Sequence, residues 1–89
     1  MNTNWTWKQL IGIELTNRQE KWEDVISCTL LDRELEEPFV AGYGVPNGKP
    51  FTLWTRTRVY FPVVYKGAEW VSSVSRLPDD VPTSHVGGY

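Results

Sequence analysis

From Val59 the odd positions Val59, Phe61, Val63 and Tyr65 are apolar, a period of two that sets them on one face of a β-strand. Lys66-Gly67 then supplies turn chemistry. A two-residue turn there places Tyr65 opposite Ala68, Val63 opposite Trp70, Phe61 opposite Ser72 and Val59 opposite Val74, gathering apolar groups of both strands on one side. Lys-Gly also suits a type I turn with a glycine bulge, and a slip of one residue would turn every side chain over. The stretch Phe51 to Arg76 thus predicts an antiparallel β meander with Val59, Phe61 and Val63 inward. Thr55 to Arg58 lacks glycine and asparagine, and is either a hairpin turn or a bend in one long strand. Pro62 cannot donate to a ladder, so one side of its strand is an edge or a bulge nearby.

Upstream the period changes. Trp7, Leu10, Ile11 and Leu15 recur at helical spacing, with Lys8, Glu14 and Arg18 off the stripe. Thr6-Trp7-Lys8-Gln9 reads as a capping box, predicting a helix over about residues 6–18. Gly12 inside it costs about 1 kcal/mol relative to alanine. Residues 22–30 are ambiguous between helix and strand; the β-branched run from Val25 favours a strand at 25–30. Leu31 to Glu37 predicts a short helix closed by Pro38, with Arg33 and Glu37 spaced to pair. Residues 41–50, rich in glycine and proline, form a loop around Pro46-Asn47-Gly48. The fold class is α+β: one or two helices on an antiparallel sheet of three or four strands, a single domain over 1–76 with an irregular tail over 77–89.

The chain has 89 residues, room for one small core. Five tryptophans are many for that space, since each can bury on the order of 150–250 Å², so at least one should stay partly exposed. The net charge of −2 hides a division: residues 1–40 hold eight acids and four bases, residues 41–76 five bases and one acid. The two halves attract each other across the fold, or the basic half offers a surface to an anionic partner. The single cysteine, Cys28, excludes an internal disulfide framework and any zinc site built on several thiolates, and fits a reducing compartment. The amino-terminal segment has neither a secretion signal pattern nor an apolar run long enough to span a bilayer, which gives the expectation of a soluble cytoplasmic protein without membrane contact.

Catalytic motifs fail on spacing. Lys49 after Gly48 lacks the earlier glycine of a phosphate loop, since Tyr43 occupies that position, and Pro50 stands where a serine or threonine is needed. Gly42-x-Gly44 has no third glycine and no preceding strand. Cys28 with His85 would be the one nucleophile and base on offer, but Ile26 and Leu30 around the cysteine suit an inert buried thiol. Asp79, Asp80 and His85 lack metal-site spacing. Glu36-Glu37 and Glu23-Asp24 are sequence neighbours and do not face each other on a helix. No catalytic residue, metal or cofactor is expected.

One constellation remains. Opposite the Val59 and Phe61 face, alternation brings out Trp54, Arg56, Arg58 and Tyr60, with Ser73 and Ser75 across the second hairpin. Arginine and aromatic side chains on an exposed sheet can stack bases and neutralise phosphates, and they also dominate the centres of protein interfaces. In a third arrangement the helix at 6–18 covers this face and its aromatics are core. Trp54-Thr55 through Val59-Tyr60-Phe61-Pro62, then Tyr65, Gly67, Glu69, Val71 and Pro78, resembles small uncharacterised bacterial or phage proteins over the strand half, a resemblance that implies no activity.

The expected function is a non-catalytic module that binds another protein as an inhibitor, adaptor or subunit, through a tryptophan-rich surface and an acidic helical face, with homo-oligomerisation open to it. The alternative is single-stranded nucleic-acid or nucleotide binding on Trp54, Arg56, Arg58 and Tyr60.

Overall fold

The Thr6 hydroxyl accepts a hydrogen bond from the Gln9 amide at 3.1 Å while the Gln9 side chain accepts from the Thr6 amide at 3.0 Å. This reciprocal cap opens helix α1, Trp7–Asn17, as the threonine-to-glutamine spacing predicts. The computed structural model describes residues 4–41, 47–65 and 67–86. Its elements are β1 (Asn4–Trp5), α1, a 3-10 turn (Trp22–Asp24), β2 (Val25–Cys28), α2 (Asp32–Leu35), β3 (Phe39–Val40), β4 (Leu53–Thr55), β5 (Arg58–Tyr65) and β6 (Ala68–Ser75). Two helices pack on antiparallel sheets, a two-stranded one of β1 and β3 and a four-stranded one in the order β2-β4-β5-β6, so the fold is α+β. Residues 77–86 hold no helix or strand.

The close of α1 is a Schellman arrangement: the Glu20 amide donates to the Leu15 carbonyl at 2.8 Å and the Gln19 amide to the Thr16 carbonyl at 3.0 Å. Gln19, not glycine, takes the left-handed conformation this requires, with φ of 62°, at a cost of roughly 1 kcal/mol. The turn delivers Glu20 beneath the sheet. Residues 22–30 resolve into both of their signals, the 3-10 turn first and the strand at Val25–Cys28 after it. The helix expected at 31–37 is one turn, and α2 ties to the basic half through Glu34 and Lys49 at 2.6 Å. The Leu31 amide and the Lys49 ammonium hold the Glu34 carboxyl below its ordinary value.

The core joins the α1 stripe of Trp7, Leu10, Ile11 and Leu15 to Leu30, Leu35, Phe51, Leu53, Tyr60 and Val71. Trp7 is its keystone: its ring lies 4.7 Å from Phe39 and 4.8 Å from Phe51 between centroids, and its indole N–H donates to the Lys49 carbonyl at 3.0 Å. Gly48 passes so close that a Cβ there would lie 2.5 Å from the Trp7 ring. Glu14, expected off the stripe, is buried on it. That burial is tolerated because its carboxylate accepts from Arg18 Nε at 2.8 Å and from Ser73 Oγ at 3.1 Å.

The β5–β6 register is the one the alternation predicts, with Tyr65 opposite Ala68, Val63 opposite Trp70, Phe61 opposite Ser72 and Val59 opposite Val74. Pro62 also behaves as expected. Hydrogen-bonded pairs fall on the odd residues of β5 when a two-residue turn joins 65 to 68, so position 62 turns its missing donor away from β6. On that side β4 has already ended, its last partner being Leu53 opposite Tyr60.

The direction of the faces is reversed. Tyr60 is buried against α1 with Leu53 and Val71, whereas Val59 and Phe61 lie outside that core. Val63 is buried too, yet not in the core cluster. The third arrangement is adopted in part: α1 covers Tyr60, which is core, while Trp54 pairs with Val59 outside that core and Arg56 is exposed. Tyr60 is long enough to reach across the helix-sheet gap to Glu20, a longer span than valine covers, and period alone gives no sign for which face goes inward.

Candidate functional site

Trp54, Arg56, Arg58 and Tyr60 do not share a surface. Between Thr55 and Arg58 the chain makes a hairpin turn, with the Thr55 hydroxyl accepting from the Arg58 amide at 3.0 Å and the Thr57 amide at 3.3 Å. The turn changes the parity, so Trp54 pairs with Val59 and stands on the side away from α1. Arg56 is exposed at the turn. Arg58 lies on the helix side, half-buried, donating from Nε to Ser73 Oγ at 2.8 Å and from a terminal nitrogen to the Ser73 carbonyl at 3.1 Å. Tyr60 is fully buried and its hydroxyl donates to Glu20 Oε1. Burial first, then the Glu20 carboxylate, pushes that phenol well above its ordinary value.

Around Tyr60 the polar groups are matched. Glu20 also accepts from the Thr55 hydroxyl at 3.0 Å and the Thr57 hydroxyl at 2.9 Å, and Arg76 donates to the Thr55 carbonyl at 2.7 Å. Glu69, 5% exposed, accepts from the Asn47 and Gly48 amides at 2.7 and 3.0 Å. Among the described residues no buried side-chain polar atom lacks a partner. This network fixes the end of α1, the β4–β5 turn and the loop at 47–48 onto the sheet, a structural task.

Cys28 is half-buried, and its sulfur accepts from the Leu30 amide at 3.4 Å. Burial raises the thiol pKa, which opposes a thiolate nucleophile. Among the described residues no group of three or more His, Cys, Asp and Glu comes together as a metal site, and no helix is long and apolar enough to cross a membrane.

The opposite side of the sheet is built differently. By register it carries Ser27 of β2, Trp54 of β4, Val59, Phe61 and Val63 of β5, and Ala68, Trp70, Ser72 and Val74 of β6. None is charged. The charged strand residues Arg58 and Glu69 lie on the helix side, with Tyr60 and Val71. An antiparallel sheet that shows one face to water ordinarily places its polar residues there; here the outer face holds two tryptophans, a phenylalanine and three valines. At its margin Trp70, 40% exposed, shares a shallow groove with Leu10 and Ile13 of α1, and Ile13 also lines a neighbouring recess with Trp5, 39% exposed.

No family model, curated protein or solved structure matches the chain. The candidate site therefore stands on its own geometry. Its register was legible in the sequence, but its orientation was missed. The placement of Arg58 and Glu69 at positions of the same parity as Tyr60 and Val71 points the other way, since a charged sheet face ordinarily turns to water, and it hid the inversion. The acidic surface also shifts: the outer positions of α1 are Lys8, Gln9, Ile13, Thr16 and Asn17, and the exposed acids of the amino-terminal half are Glu23, Asp24, Asp32, Glu36 and Glu37 around the 3-10 turn and α2.

Proposed function

We propose that this chain is a non-catalytic protein-binding module, serving as an inhibitor, adaptor or subunit, and that its contact surface is the uncharged outer face of the four-stranded sheet. The single observation behind this is the absence of charge on that face in a chain of which 22% is charged. Part of that face is open, Trp70 at 40% and Trp54, Val59 and Phe61 in part, and tryptophan is the residue most enriched at interface centres. Trp54 of β4 opposite Val59 and Trp70 of β6 opposite Val63 flank Phe61 of β5, which gives two large anchors on neighbouring strands. The lone thiol suits work in a reducing cytoplasm.

The test compares the wild type with Phe61→Asp as bait in a lysate of the source cell, both confirmed as folded by far-UV circular dichroism. The expected result is a partner retained by the wild type and lost by the variant. Equal retention by both would remove the outer face as the contact surface.

A further inference from the structure

We propose that the recess between the end of α1, the edge strand β6 and the segment 77–86 binds a phosphate-class oxyanion, as free phosphate or as the phosphoryl group of a small molecule. The site is separate from the outer face of the sheet and does not rest on the protein-binding reading above.

The arginines carry the inference first. Arg58 is half-buried, yet among the described residues no carboxylate lies within salt-bridge distance of it; its two hydrogen bonds, at 2.8 and 3.1 Å, both go to the uncharged Ser73. A cation drawn partly out of water without a counter-charge is costly, and an anion beside it would offset that cost. Arg18 is tied to the same place: its Nε donates to Glu14 Oε2 at 2.8 Å, Ser73 Oγ donates to that oxygen at 3.1 Å, and Arg58 Nε donates to Ser73 Oγ at 2.8 Å. Two guanidinium groups are thus held around one serine. Both terminal nitrogens of Arg18 and one of Arg58 have no partner among the described residues.

The edge of β6 adds amides. Because the hydrogen-bonded pairs fall on the odd residues of β5, residues 69, 71, 73 and 75 turn their backbone groups away from it, as the Glu69 amide does in donating to the Ala41 carbonyl at 2.7 Å. The Ser73 amide has no such acceptor among the described residues, although Ser73 is only 4% exposed, and a buried amide is ordinarily paired. Arg18, Arg58, Ser73 and Ser75 line one recess of about 450 Å³, the size of a small-molecule site. Thr83 and Ser84 add hydroxyls to its lining, and its one carboxylate, Asp79, accepts from the Val81 amide at 3.0 Å. Guanidinium forks beside outward amides suit a tetrahedral oxyanion. Two cations in one recess make a place for a single phosphate, not the track of cations that a nucleic-acid backbone follows.

The experiment follows the backbone amide NMR signals of the isotope-labelled full chain as inorganic phosphate is added, with sodium chloride at matched ionic strength as the control. The wild type should show saturable shifts at Ser73 and Ser75 with a dissociation constant of about 1 mM or below, and none with chloride. Arg18→Gln and Arg58→Lys should each weaken binding about tenfold with unchanged far-UV circular dichroism. Arg33→Gln, at an exposed arginine on α2, should bind as the wild type does. Phenyl phosphate beside phenol separates the sources: tighter binding of the ester than of inorganic phosphate assigns the site to the phosphoryl group of a small molecule, equal binding assigns it to free phosphate, and both uphold it. No saturable shift at Ser73 or Ser75, the same shift with chloride, or full affinity in both Arg18→Gln and Arg58→Lys overturns the proposal. Phe61→Asp should bind phosphate like the wild type, so this site and the outer-face reading can each fail alone.

Discussion

Tyr60 and Phe61 are adjacent in sequence and opposite in circumstance. Tyr60 is fully buried under α1, its hydroxyl held by Glu20; Phe61 faces the other way, half-buried beside Ser72 and between Val59 and Val63. The helix-facing side of the sheet contains the charged residues Arg58 and Glu69, each hydrogen-bonded, while the opposite side carries none by register. The contrast shows that charge placement does not by itself distinguish inside from outside. A buried charge is tolerable where partners are fixed around it, and an apolar outer face is tolerable where something comes to cover it.

The sharpest way to break the contrast is to truncate both residues. Tyr60→Ala should cost about 3–5 kcal/mol in urea unfolding, while Phe61→Ala should cost less, about 1–2 kcal/mol, because its ring is only partly buried. Equal costs would mean that the outer face is core.

Alkali probes the same tyrosine without removing its ring. Its phenol titrates higher in the folded chain than its ordinary value of 10.0, so above that pH the folded state holds a proton the unfolded state has released. Stability should be fully present below about pH 10 and fall above it by up to about 1.4 kcal/mol per pH unit from this group alone. Tyr60→Phe should flatten that part of the decline; an unchanged slope would show that the Glu20 contact does not set it.

Gly48→Ala should destabilise by about 1–3 kcal/mol, because the added carbon meets Trp7 and Phe39 inside 3 Å. Urea unfolding reads the loss, and a variant as stable as the wild type would mean that the loop at 47–48 yields to the added carbon. Gln19→Gly should gain up to about 1 kcal/mol by relieving the left-handed glutamine. The smallest expected effect is none: titration with single-stranded oligonucleotides should give no affinity that weakens with salt, and a salt-dependent signal would revive a nucleic-acid role despite the separation of Trp54, Arg56, Arg58 and Tyr60.

Much of the fold could be read from residue order. The Thr6-Gln9 cap, the α1 stripe and the β5–β6 register are local patterns, each decided within a few residues of itself. What escaped depended on distant partners. Glu14 looked like a solvent residue because Ser73, which accommodates it, lies 59 positions away. The outward turn of Trp54 was hidden because Thr55 to Arg58 carries no conventional turn residues, its reversal being held by the Thr55 hydroxyl. The orientation of the face followed from those two facts together, and period two is silent on it.

The stripe of α1 rests chiefly on β6, the last strand to be made. During synthesis the helix must leave the ribosome some sixty residues ahead of the surface that stabilises it, and an isolated segment of 11 residues is too short to persist alone in water. The β5–β6 ribbon, closed by its own two-residue turn, can zip within microseconds of emerging. Folding in the cell should then run backwards relative to translation, with the carboxy-terminal ribbon as the template onto which the amino-terminal helix condenses.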